Sequence, residues 1–278
     1  MPDQLIAGNW KMHGTVAWSL ALVEELKHRN LDALNAEVCI CPPFTALYAV
    51  HQALRGTDIK LGAQDVFWKD QGAYTSQIAP PMLTELGVSY VIIGHSETRG
   101  RFGVPEPDFT DEILRHFGEN DATVNLKVKA ALLHGLTPIV CVGETLAERQ
   151  AGQTDAVITA QVKRDIEGLD PAEVGCLVFA YEPVWAIGTG EVCDAPEANR
   201  VCALIRRIAT EVCGEEAARS LRVLYGGSVK PDNAHDLLQQ PHIDGALVGG
   251  ASLSAASFAE IVSHAHKIAN HRNNGAQT

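Results

Sequence analysis

The sequence lacks any apolar run long enough to cross a bilayer. Its longest, such as Tyr90–Gly94 and Pro138–Gly143, are strand-sized, whereas a spanning helix needs roughly 20 residues. Excess positive charge is missing too: 22 Lys and Arg stand against 34 Asp and Glu, a formal net charge of −12. A chain so acidic has no broad basic surface for phosphate backbones, which excludes non-specific nucleic-acid binding and disfavours anionic membranes. An anionic small molecule would have to be met locally, by a few donors. The seven cysteines are odd in number and scattered from Cys39 to Cys213. They imply no disulfide framework, and a reducing cytoplasm is expected. Residues Met1–Lys11 lack a basic stretch followed by an apolar core, so no secretory leader is expected. There is no His-Glu-x-x-His and no cysteine pair with zinc-type partners, so no metal is expected. No Gly-x-Gly-x-x-Gly follows the first apolar run, which continues instead as Gly8-Asn9-Trp10-Lys11; that argues against a dinucleotide-binding fold.

What is present is an ordinary globular mixture, 46% hydrophobic and 20% charged. Eight short runs are apolar on successive residues: Leu5–Asn9, Val38–Cys41, Ile59–Ala63, Tyr90–Gly94, Pro138–Val142, Cys176–Tyr181, Val223–Tyr225 and Ala246–Val248. Strands buried on both faces read this way. Between them lie helical patterns at Val16–Asn30, Phe44–Leu54, Pro80–Leu86, Ala122–His134, Ala156–Gly168, Pro196–Val212, Pro231–Leu238 and Ala256–Ala269. Pro80, Pro196 and Pro231 suit helix starts, and Gly87, Gly135 and Gly168 suit helix ends. No low-complexity linker divides the 278 residues. Eight β–α units in strict order predict one domain, residues 1–278: a closed, parallel eight-stranded (β/α)8 barrel.

Chemistry in such a barrel gathers at the carboxyl ends of the strands. The residues there are Asn9 and Lys11 after the first run, His95 after the fourth, Glu182 after the sixth, Ser228 after the seventh, and Gly249 and Gly250 after the eighth. The surrounding segments are Asn9-Trp10-Lys11-Met12, Cys41-Pro42-Pro43-Phe44, Gly62-Ala63-Gln64-Asp65, Gly94-His95-Ser96-Glu97, Pro138–Glu144, Ala180–Gly190, Tyr225–Val229 and Gly249–Leu253. In this order, and over nearly the whole chain, they resemble the triosephosphate isomerase family.

The resemblance implies interconversion of dihydroxyacetone phosphate and D-glyceraldehyde 3-phosphate through an enediolate, in glycolysis and gluconeogenesis, with no cofactor. It makes Glu182 the base, His95 the electrophile and proton shuttle, and Lys11 the positive charge near phosphate and oxyanion. Asn9 becomes a substrate hydrogen-bonding group, and Glu97 the acid beside Lys11. Backbone amides of Gly188, Ser228, Gly249 and Gly250 would hold the phosphate, since glycine lets an anion approach the main chain. Pro183–Gly190 would be a lid that excludes water. The residues after His95 would open a short helical turn whose positive end disfavours imidazolium. A homodimer is implied through the loop around Thr75. Alternative readings are an isomerase of a related phosphorylated ketose, such as erythrulose phosphate, and an inactive phosphosugar-binding barrel.

Three stretches depart from the family pattern. About residues 103–117 stand as an insertion after the fourth strand. Pro105 and Pro107 predict an extended arm, and Thr110 a cap on a helix over Asp111–Phe117 ended by Gly118. Thr98 and Gln77 replace an Arg and a Glu that pair across the family's dimer interface, so that contact is expected to be weaker or rebuilt. Glu191-Val192-Cys193 replaces the usual residues of the lid hinge, and Cys193 is expected to be an exposed thiol.

Overall fold

The computed structural model describes residues 4–31 and 34–275. Eight strands, β1 (Leu5–Asn9), β2 (Glu37–Cys41), β3 (Lys60–Ala63), β4 (Tyr90–Ile93), β5 (Thr137–Val142), β6 (Val178–Tyr181), β7 (Arg222–Tyr225) and β8 (Gly245–Val248), pair in sequence order. β1 joins β8 in parallel and closes the barrel.

The double apolarity of the strands has a plain cause. Leu5, Ala7, Cys39, Cys41, Tyr90, Ile92, Ile139, Cys141, Val178, Ala180, Leu224 and Leu247 form one buried cluster. Their alternate neighbours, among them Ile6, Val38, Ile40, Val91, Ile93, Val140, Phe179 and Val248, belong to a second cluster shared with the helices. Side chains alternate along a strand, so one set fills the barrel and the other seats the outer ring. Each large side chain so buried contributes about 1.5–3 kcal/mol.

Helix ends follow the local chemistry. Thr15 caps Val16–Lys27, and Asp194 caps Ala195–Cys213 with Pro196 in the first turn. Gly87, Gly135 and Gly168 take positive φ at helix ends, the left-handed turn that glycine adopts without strain. Three short helices, Leu146–Gln150, Pro171–Gly175 and Glu215–Ser220, lie outside the patterned runs. The helix Pro171–Gly175 has Cys176 as its C-cap and delays β6 to Val178.

The segment after β4 leaves and returns at one hydrogen bond, Glu119 N–H to Thr98 O (2.9 Å). Within it, the Thr110 hydroxyl accepts from the Ile113 amide and the helix spans Asp111–Phe117. Gly118 ends that helix in an extended conformation. The Phe102 and Phe109 rings pack 4.8 Å apart and fold the arm back on itself.

Cys193 corrects an expectation. Its side chain is buried, 2% exposed. It immediately precedes the Asp194 cap, where the entering chain turns its side chain onto the helix and the core. Burial pushes its thiol pKa up to about 12, so thiolate chemistry is suppressed there.

Candidate active site

Asn9, Lys11, His95, Glu97, Gly188, Ser228, Gly249 and Gly250 line one cavity of about 870 Å³ at the carboxyl rim of the barrel. Glu182 is 1% exposed and does not line that wall.

Lys11 sits in the left-handed region, φ 51°, a conformation costing a residue with a Cβ about 1–3 kcal/mol. Two side chains hold it there. The Asn9 Oδ1 accepts the Lys11 N–H (2.9 Å), and the Gln64 amide donates to the Lys11 carbonyl (2.9 Å) and to Cys41 O (2.9 Å). Its ammonium, 2.6 Å from Glu97 Oε1, faces the cavity. Gln64 was not singled out by sequence reasoning; its place in Gly62-Ala63-Gln64-Asp65 was the available signal.

His95 lies two residues past β4 and begins a single turn rather than a helix: Arg99 N–H donates to the His95 carbonyl (3.0 Å). The Glu97 N–H lies 3.2 Å from His95 Nδ1 and donates to it. An Nδ1 that accepts leaves the proton on Nε2 in the neutral ring. Nε2 stands 2.8 Å from Glu182 Oε1. Burial opposes imidazolium, but the Glu182 carboxylate, helped by Glu97, outweighs it and raises the His95 pKa.

The Glu182 carboxylate is divided. Oε2 accepts from the Ser96 N–H (2.9 Å). Oε1, although close to His95, has no aligned hydrogen-bond donor among the described residues. Burial alone would raise this carboxyl; His95, the Ser96 amide and the Lys11 charge override it and hold the pKa below the usual carboxylate value. Glu182 is therefore an ionised carboxylate with one oxygen tethered to the Ser96 amide and the other set against His95 Nε2.

Behind it, Glu144 is fully buried and accepts from the Trp185 indole N–H (2.9 Å) and the Tyr181 hydroxyl (3.1 Å). Trp185 belongs to a 3-10 turn, Val184–Ala186, and the Arg149 guanidinium stacks over its ring at 4.3 Å. Gly188 and Gly190 have positive φ. This segment stands over the rim with Ile187 and Gly188 on the cavity wall. Gly249 caps a second 3-10 turn, Gly250–Leu253, and the Asn233 amide fixes the Ser228 carbonyl (2.9 Å). Phe102, Gly103, Val104 and Glu106 of the segment after β4 also line the cavity. Sequence reasoning did not place them there.

The family model for triosephosphate isomerase matches residues 4–265. The chain belongs to the triosephosphate isomerase family. It is thereby an isomerase that interconverts triose phosphates. The triosephosphate isomerase of Moorella thermoacetica is 52% identical over 264 residues, 95% of this chain and 99% of that one. That of Roseiflexus castenholzii is 50% identical over 262 residues, 94% and 97% of the two chains. The crystal structure of triosephosphate isomerase from Bartonella henselae superposes with a TM-score of 0.79 at 38% identity, covering 95% of this chain and 99% of that one. Among the described residues, no helix is long and apolar enough to cross a membrane.

Proposed function

We propose that the 278 residues act as one domain that interconverts dihydroxyacetone phosphate and D-glyceraldehyde 3-phosphate in the cytoplasm, with Glu182 as base and His95 as electrophile. The observation that carries this assignment is the pairing of His95 Nε2 with Glu182 Oε1 (2.8 Å) beside a cavity that Lys11 also lines. A substrate carbonyl that takes the Nε2 proton in a hydrogen bond displaces Glu182 from the ring. The freed carboxylate then removes a proton from the carbon next to that carbonyl, and the enediolate carries the charge. Returning the proton to the neighbouring carbon, with the hydroxyl protons redistributed through His95, gives the isomer. Once Glu182 has moved off, the largest contribution that raises the His95 pKa is gone, and the buried ring acts as a neutral donor. Lys11 stabilises both the developing oxyanion and the phosphate, and Asn9 fixes Lys11 and contacts substrate. Amides of Gly188, Ser228, Gly249 and Gly250 hold the phosphate, so an acidic protein binds a dianion at short range. Pro183–Gly190 is the lid. A coupled assay on glyceraldehyde 3-phosphate tests the assignment: the chain turns it over, and His95→Gln reduces turnover by about 100-fold. Near-normal turnover in the variant removes His95 from the role.

The working unit is a homodimer through the loop around Thr75. In support, Met12 is 96% and Tyr74 43% exposed, apolar surface of the kind that partners cover. The changed position Thr98 is tied within its own chain, its hydroxyl 2.7 Å from Glu119 Oε2. Light scattering across protein concentration decides the state; a fully active monomer at micromolar concentration refutes the dimer.

A further inference from the structure

The segment after β4 does more than lengthen a loop. Gly103 lies against the lid: a Cβ built on it would collide with the carbonyl oxygens of Val184 and Ile187 and come within 3.2 Å of the Thr189 methyl. Gly103 has no positive φ, so its own backbone does not call for glycine. What calls for it is the approach of lid main chain to arm main chain. One residue on, the Val104 methyl lies 3.8 Å from where a Cβ on Gly188 would stand. The arm therefore touches the lid at its start, middle and end.

The arm is also built to hold its place. Phe102 stacks on Phe109 (4.8 Å), Leu114 covers Gly100, and Arg101 is paired with Glu148 and donates to the Gly143 carbonyl (3.2 Å). Pro105 and Pro107 restrict the stretch between these anchors. A restrained segment packed on a lid stabilises whichever lid position it contacts. In the position contacted here Glu182 is bonded to the Ser96 amide and does not line the cavity, and Trp185 of the lid is bonded to Glu144.

We propose that residues Gly103 and Val104 form a latch that holds the lid in its open position, so that substrate closure must release the lid from the arm. The two are positioning residues for the isomerisation and act through the lid. The inference rests on Pro183–Gly190 being the lid. A latch that favours the open state lowers the apparent affinity for any ligand that needs the closed state, because only the competent fraction binds. It also speeds reopening, which sets the rate when product release limits turnover.

The test uses the full-length enzyme with 5-fluorotryptophan incorporated, the lid signal assigned by Trp185→Phe, and glycerol 3-phosphate as the binding probe. Gly103→Ala places a methyl where arm and lid carbonyls meet, and Val104→Ala removes the second contact without adding bulk. In Gly103→Ala, binding of the probe tightens by about 3–10-fold, kcat falls, KM falls with it, and the Trp185 fluorine signal moves toward its ligand-bound position before ligand is added. Val104→Ala shifts each in the same direction by less, and decides the matter if Gly103→Ala does not fold. Unchanged or weakened probe binding in the folded variants overturns the latch. Removing Val184–Thr189 tests the lid separately, by the fraction of substrate lost as methylglyoxal and phosphate. If that fraction does not rise, the lid reading itself fails. If it rises while the arm variants behave as wild type, only the latch fails.

Discussion

At the lower end of the barrel, Glu37, Tyr90 and Arg222 close a ring of contacts. The Tyr90 hydroxyl donates to Glu37 Oε1 (2.7 Å), while Arg222 donates to Glu37 Oε2 (2.6 Å) and to the Tyr90 oxygen (2.6 Å). Each of the three polar groups is satisfied by the other two. At the upper rim the polar groups are held but not satisfied. Lys11 sits at φ 51°, and the buried Glu182 Oε1 has no aligned donor among the described residues. Both ends are built from charged and hydrogen-bonding side chains, and they differ in whether those groups complete one another. The lower ring lowers the free energy of the fold, whereas the rim leaves part of its hydrogen-bonding capacity unused.

The largest break in that comparison comes from Glu182→Asp. Retracting the carboxylate by one methylene removes both the Ser96 tether and the reach to the substrate carbon, while the segment around it stays packed. Turnover in the coupled assay falls by about 100-fold or more, with a melting temperature within a degree or two of wild type. Near-normal turnover would show that the rim does not depend on this oxygen. Arg222→Leu is the converse at the lower end. It leaves Glu37 and Tyr90 without their shared donor at a partly buried site, and lowers stability by about 1–3 kcal/mol, a fall in melting temperature of several degrees. Specific activity per folded molecule is unchanged. Lost activity at unchanged stability would reverse the two roles.

The barrel walls and the helix starts were legible in the sequence because they depend on local pattern. Leu5–Asn9 and Pro231–Leu238 fall where the apolar runs placed them, and Thr110 caps the helix it was expected to cap. The short helices Leu146–Gln150 and Pro171–Gly175 are too brief to show a hydrophobic period. Each nevertheless opens on a readable capping box, Thr145 with Glu148 and Asp170 with Glu173. Glu182 and His95 were singled out by their strand-end positions and by family resemblance. Their 2.8 Å approach, with the Ser96 tether, joins residues 86 positions apart or more, and no local pattern encodes it. The same holds for Gly103, whose need for glycine arises from lid atoms about 80 residues further along. Cys193 was misread because a residue between glycines and charges resembles a surface loop, and only the helix that follows turns it inward.

The smallest effect sharpens the rim itself. Two influences oppose each other on His95: burial lowers its pKa, and the Glu182 carboxylate raises it and prevails. Glu182→Gln keeps the shape and the burial but removes the charge. Glu97 still favours the imidazolium and Lys11 still disfavours it, so the net change follows the lost carboxylate. The ring then takes up its proton only at lower pH than in the wild-type enzyme, and stays neutral over a wider acidic range. Nitrogen chemical shifts of His95 against pH measure this in both proteins without any turnover. A downward move confirms that Glu182 is what favours proton uptake by the ring, and therefore that substrate, by displacing Glu182, favours the neutral ring. An unmoved or raised pKa would mean that the ring's state is set by the turn beneath it alone, and that binding does not change it.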